Sequence, residues 1–248
     1  MSVIYVMWKR QITKYFRSKS RIVGSLGMPI LFLIALGFGF GSIYAKAGGG
    51  NYLEFLAPGI IAMTILFTAT FSGIEIIWDR QFGFLKETLV APVSRIKIML
   101  GRTLGGATIA VFQGLIVLII SLIAGVQLAN LFLIPIALLF MFLTGLVFTS
   151  VGTAIASKLE DMQGFQLIVN FVIMPLFFLS NALFPLNEMP DFLRVIASFN
   201  PLSYGVDGLR FSLTGVSQFN PFLDFIVMII VAIIFLVIGS KLFSQIQA

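Results

Sequence analysis

The sequence contains neither cysteine nor histidine. The first absence excludes disulfides, thiol nucleophiles and thiolate metal ligands. The second removes the commonest general base and the commonest metal ligand. Charge is also scarce. Asp, Glu, Lys and Arg make up 10% of the 248 residues, against about 25% in soluble domains, while 59% of the chain is hydrophobic. Such a composition leaves no room for an ordinary soluble domain outside a membrane. A glycine-rich phosphate loop of the Walker type is missing too; Gly37, Gly39 and Gly41 lie inside an apolar stretch and read as close helix packing. The net charge of +6 does not indicate nucleic acid. The basic residues flank apolar stretches, where the positive-inside rule and anionic headgroups account for them.

What the chain does have is six apolar stretches near the roughly 20 residues that cross a bilayer: 22–43, 53–78, 96–126, 131–156, 165–184 and 222–243. The expected fold is a single all-α integral membrane domain over residues 1–248. Six crossings put both termini on one side. If that side is the cytoplasm, thirteen of the sixteen basic residues lie inside and only Lys46, Arg194 and Arg210 outside, so the expected location is the plasma membrane with both termini cytoplasmic. The N-terminus does not read as a secretory signal: its basic region is too long, its first apolar stretch is too long, and a small-residue cleavage pattern is lacking.

Residues 1–21 hold six basic residues and no acidic one. Ile4, Trp8, Ile12 and Tyr15 recur at helical spacing, with Arg10, Lys14 and Arg17 opposite. This predicts an amphipathic helix in the inner headgroup layer, with Trp8 and Tyr15 as interfacial anchors; the alternative is a basic topogenic flank with no fixed helix. Two loops are informative. In 79–95, Phe82, Leu85 and Leu89 share a helical face, Pro92 stops the helix, and Ser94 reads as the N-cap of the third span. A short cytoplasmic helix between two spans is the geometry needed to carry force from a cytoplasmic subunit into a bundle. In 185–221, Pro185, Pro190, Pro201 and Pro221 separate apolar runs too short to cross. They read as two short helices dipping into the outer leaflet and returning, or as an ordinary external loop.

In sequence order, these features resemble the permease subunit of type-2 ABC exporters, the daunorubicin-resistance and nodulation-factor type in particular. The resemblance rests on the basic amphipathic N-terminus; on Gly83-Phe84-Leu85-Lys86-Glu87-Thr88-Leu89 followed by Ala91-Pro92-Val93-Ser94-Arg95; on Phe178-Leu179-Ser180-Asn181-Ala182-Leu183-Phe184-Pro185-Leu186 with Met189-Pro190; and on Asn200-Pro201-Leu202-Ser203-Tyr204 followed by Asp207-Gly208-Leu209-Arg210. It covers essentially the whole chain. It implies two permeases, a homodimer of this chain being expected, paired with two cytoplasmic ABC ATPase subunits. Those subunits would bind ATP and Mg, and this chain would bind no cofactor and no metal and catalyse nothing itself. The implied cargo is an amphipathic drug-like or lipid-like molecule, with a lipid-linked polysaccharide as the alternative.

The resemblance also assigns candidate residues. Phe82, Phe84, Leu85, Glu87 and Leu89 would form the docking surface for the ATPase. In the family the first, second and fifth spans of two protomers meet at a central axis, so the stripe Thr64, Thr68, Ser72 and Glu75 on the second span, with Gln163, Gln166 and Asn170 on the fifth, would line the path or its gate. The same hydroxyls and amides also suit bonding between helices of one protomer. Glu75 fits either a path residue or an ion pair with a basic residue of the N-terminal helix. Pro185, Pro190, Asn200, Pro201 and Tyr204 mark the outer re-entrant segment. Two other function classes compete. An intramembrane enzyme lacks parts, since Ser240 and Lys241 are adjacent and diverge on a helix. A stand-alone channel or secondary transporter would show internal repeats or broken mid-membrane helices, and neither is evident.

Overall fold

Asparagine and aspartate side chains start many of the helices. Asn51, Asp161, Asn200 and Asn220 each accept a backbone N–H two or three residues on, which satisfies a donor that the first turn leaves free. Ser94 sits at the same position before the third span but makes no side-chain cap bond. The computed structural model describes residues 2–46, 51–90 and 93–246, and every regular element among them is helical.

The order is α1 (Val3–Arg17), α2 (Lys19–Gly39), α3 (Gly41–Lys46), α4 (Tyr52–Phe71), α5 (Ile74–Gln81), α6 (Phe84–Val90) and α7 (Arg95–Ile123). Then follow α8 (Ile134–Lys158), α9 (Met162–Ile168), α10 (Met174–Phe178), α11 (Asp191–Phe199), α12 (Pro201–Thr214) and α13 (Pro221–Ser244). By length and composition five helices among the described residues can cross a membrane: Lys19–Gly39, Tyr52–Gln81, Arg95–Ile123, Leu131–Lys158 and Pro221–Ser244. The expected fifth span is shorter. Its helix runs over Met162–Phe178, about 25 Å at 1.5 Å per residue, and does not reach Phe184. Ser180 ends it: its hydroxyl donates to the Phe177 carbonyl at 2.7 Å and accepts the Ala182 N–H at 3.2 Å, a local alternative to the helical ladder. Residues Val169–Ile173 form a π turn within this span. Pro175 follows two residues later and has no N–H to give back to the helix.

The second span is the hub. Leu56, Ile60, Ile61, Ile65 and Leu66 of α4 are fully buried, packed against α7, α8 and α12, with α2 along one side. The outward faces of α2 and α13 stay apolar and exposed, Leu31, Ile34 and Phe38 on one, Ile233, Ile234 and Val237 on the other. Between Phe71 and Ile74 the second span is interrupted at Ser72–Gly73. Here it crosses α8 backbone to backbone. A Cβ on Gly152 would overlap the Thr70 carbonyl, and one on Gly73 would overlap Gly152 itself. Only glycine allows this approach. Gly152→Val should force the second and fourth spans apart and cost on the order of 1–3 kcal/mol. A thermal melt of the detergent-solubilised protein should drop by several degrees; an unchanged melt would show that the crossing has slack.

Candidate functional site

Glu75 and Asp79 lie one helical turn apart on α5, and both are buried. An intramembrane carboxylate needs a partner, and each of these has two. Glu75 Oε1 accepts from Arg21 Nη1 at 2.6 Å, and its Oε2 lies 3.5 Å from Lys14 Nζ. Asp79 pairs with Arg102 and lies 3.5 Å from Arg10. Arg10 and Lys14 are themselves one turn apart on α1, so the two helices match antiparallel, rung for rung. The expected partner for Glu75 in the N-terminal helix is therefore present as Lys14, joined by Arg21 at the start of the first span.

This arrangement adds to the reading of α1 as an amphipathic helix of the headgroup layer: one face of it is packed on the bundle. Its deepest face is Met7, Gln11 and Tyr15, seated on α7 where Gly101 and Gly105 leave a groove: a Cβ at either glycine would lie 2.6 Å from the Cβ of Met7 or Gln11. Tyr15 is 2% exposed and accepts a bond from Gln113. Trp8 donates to the Thr108 hydroxyl at 3.1 Å. Both aromatics are bonded to α7, and Arg10 and Lys14 lie against the α5 carboxylates while keeping 37% and 40% of their side chains exposed; Lys9 and Arg17 remain exposed. Periodicity located the apolar stripe, but it does not distinguish lipid from a glycine-lined helix surface.

Beside the Glu75 rung opens a cleft of about 790 Å³ walled by α2, by α4 with α5, and by α9 and α10 across the π turn. Thr64, Thr68, Gln166 and Asn170 all line it. Asn170 sits in the π turn and accepts from Gln166 at 3.4 Å. The other two residues of the expected stripe go elsewhere. Ser72 faces Gly106 of α7 and donates to the Ala69 carbonyl at 2.6 Å, and Glu75 is taken by its cations. The break at Ser72–Gly73 turns the stripe off the cleft. Gln163 is exposed and lies outside the lining.

Below the cleft, α6 follows α5 after Gly83, whose φ of 79° allows the sharp turn. Of the proposed docking residues, Phe82 and Phe84 are 72% and 52% exposed, and Glu87 is exposed as well. Leu85 is different: at 2% exposed it anchors α6 to the core rather than offering a surface. The side chain of Leu89, together with Pro92, lies outside the described residues. Two bonds brace the end of α5 against the turn after α8: Arg80 donates to the Leu159 carbonyl at 2.9 Å and to that of Ser157 at 3.3 Å.

The sequence of this bundle, with its N-terminal helix clasped to the second span, matches the ABC-2 type transporter family over residues 2–214. The chain belongs to that family. Nodulation protein J of Rhizobium leguminosarum bv. viciae is 30% identical over 215 residues, covering 85% of this chain and 79% of its own. The ycf38 protein of Pyropia yezoensis, named as a transport permease, is 33% identical over 218 residues, covering 84% and 72%.

In this ABC-2 permease the segment 185–221 holds a second buried polar cluster, to whose Asp207 and Arg210 the sequence alone assigns no site role. Pro190 and Pro201 precede or open α11 and α12, and Pro185 precedes a short turn of 3-10 helix over Leu186–Glu188. Asn200 caps α12 and donates to the Leu176 carbonyl at 2.6 Å, while the Tyr204 hydroxyl donates to the Ser198 carbonyl at 2.6 Å. Behind them Asp207 accepts the N–H groups of Gln218 and Phe219 at 2.8–3.0 Å. Arg210 donates to the Asn181 carbonyl at 2.8 Å and stacks 4.1 Å from the centre of the Phe55 ring. Burial pushes the Asp207 carboxyl up from its ordinary value, against the N–H groups of Phe219 and Gln218 and the Arg210 guanidinium, which pull it down. In the sequence Asp207 and Arg210 stand out as part of the motif after Tyr204 and by their i,i+3 spacing, but neither signal gives their buried partners.

The Asp79–Arg102 rung is the most enclosed, at 6% and 4% side-chain exposure. Asp79→Ala should cost on the order of 3–5 kcal/mol, because Arg102 is left charged without its partner. Arg102→Met added to it should recover most of that loss. A double-mutant cycle on melting temperatures checks this, and purely additive losses would contradict the pairing.

Proposed function

We propose that this ABC-2 permease is the membrane-spanning subunit of an ATP-driven exporter of the plasma membrane, both termini cytoplasmic, working as a pair of identical chains. Its cargo is an amphipathic drug-like or lipid-like molecule taken from the cytoplasm or the inner leaflet. ATP and Mg belong to two separate ABC ATPase subunits. The observation that carries this reading is the continuity of one structural line. The wall of the cleft is α4, α4 continues into α5, and α5 continues into α6, which presents Phe82, Phe84 and Glu87 outward. ATP-driven closure of the ATPase pair would push on α6 and so move the wall that holds Thr64 and Thr68. The cleft volume suits one drug-sized ligand, for which pockets of about 300–1,000 Å³ are usual. That favours a compact amphiphile over a polysaccharide chain. The orientation rests on the thirteen-to-three bias of basic residues.

A pull-down of the tagged chain from its native membrane in mild detergent should bring with it a Walker-type subunit with vanadate-sensitive ATPase activity. Phe84→Asp should reduce that association about tenfold, a loss of ~1.4 kcal/mol, while leaving the permease melt unchanged. Leu85→Asp is a poor probe, since it unseats α6 itself. Recovery of the permease alone, with no ATPase, would overturn the reading in favour of a stand-alone transporter.

A further inference from the structure

The cleft has two chemically distinct ends. At one, Lys14, Arg21, Ser20 and Ser25 line it; further along, the wall is Met28, Phe32, Phe67 and Phe177. Both cations reach the same carboxylate, Glu75, and no Asp or Glu is among the lining residues. Two positive charges against one negative leave the group with a net charge of +1 beside an apolar wall. The cations are not sealed off: the side chains of Lys14 and Arg21 are 40% and 32% exposed, whereas Glu75 is 4% exposed. Lys14 sits at 3.5 Å from Glu75 with donors to spare.

We infer that the cleft takes an amphiphile with an acidic oxyanion head, the head on Arg21 and Lys14 and the apolar tail along Phe32, Phe67 and Phe177. The inference rests on the cleft being the cargo path and adds the charge of the cargo to it. Arg21 presents a planar fork suited to a phosphate, sulfate or carboxylate. Ser20 adds a hydroxyl donor, whereas that of Ser25 is given to the Ile22 carbonyl at 3.0 Å. Glu75 then acts as the resident counter-ion: an incoming head competes with it for the same donors. A cargo without a negative head would gain nothing from these cations, which stay satisfied by Glu75. A bare anion would gain nothing from the aromatic wall.

Trp78 lines the cleft, and Trp8 is the only other tryptophan in the chain. A Trp8→Phe variant of the full chain in phosphatidylcholine nanodiscs therefore reports on the cleft through one fluorophore. Dodecyl phosphate should shift Trp78 emission saturably, and about tenfold more tightly than dodecyl maltoside, the scale of one charge-assisted hydrogen bond. Inorganic phosphate alone should neither shift the emission nor displace the probe. Glu75→Gln should tighten dodecyl phosphate binding severalfold by freeing both cations, which a merely structural carboxylate would not do. The double variant R21Q/E75Q leaves no charged half of the Arg21–Glu75 rung stranded, so the fold is retained, and it should weaken binding about tenfold relative to E75Q. Equal saturable binding of both amphiphiles, unmoved by these variants, would overturn the acidic-head inference while leaving the cleft as a path for neutral cargo. Displacement by inorganic phosphate would make the site a bare anion site and overturn the amphiphile. No saturable binding of either amphiphile would overturn the inference and the path reading together.

Discussion

The structure depends on one constraint: two carboxylates sit on a buried helix at one end of a membrane bundle and cannot remain unpaired there. A lone charge in such surroundings costs several kcal/mol. Glu75 and Asp79 are relieved by four cations from three elements: Arg10 and Lys14 of α1, Arg21 of α2 and Arg102 of α7. The ladder decides where α1 lies, since its two cations meet the carboxylates only in one antiparallel register. It fixes the start of the first span through Arg21. It ties α5 to the third span through Arg102. The groove over Gly101 and Gly105 then seats the rest of α1 against α7.

From that ladder the candidate site follows in both directions along the second span. Above the break at Ser72–Gly73, α4 walls the cleft; below it, α5 carries the paired carboxylates and leads into α6. The α5 helix is also bound to the fifth span. Trp78 contacts Met162, where α9 begins, and Arg80 holds the turn before it. In the proposed cycle a push on α6 reaches two walls of the cleft at once, and the π turn around Asn170 gives the wall formed by α9 and α10 a place to yield. The opposite end is built differently: Asp207 and Arg210 pin α12 to the loop at Gln218–Phe219 and to the exit of the fifth span.

Much of the bundle was legible because its signals are local. Five of the six apolar stretches coincide with long apolar helices, the remaining one, the fifth, being shorter than expected, and the prolines of 185–221 marked two short helices. Thr64, Thr68, Gln166 and Asn170 were found by helical spacing, and the structure brings these four to one cleft. What was not legible depends on pairing between elements distant in sequence. Arg102 reads as one more topogenic cation until Asp79, twenty-three residues away, is seen beside it. Tyr15 reads as an interfacial anchor until Gln113 is placed next to it. Leu85 shares a helical face with Phe82, but periodicity does not say which member of a stripe is anchor and which is surface. Ser72 left the expected stripe because a glycine crossing breaks the helix at that point.

The claim at the centre is that the cleft wall moves when the cytoplasmic partner closes. The chain has no cysteine, so a single one at Thr68 labels cleanly. The permease carrying it, reconstituted in liposomes with its co-purifying ATPase, would be exposed to a membrane-impermeant maleimide with no nucleotide and again in the vanadate-trapped state. The account predicts a severalfold difference in labelling rate between the two. Equal rates, with the ATPase bound and active, would contradict it.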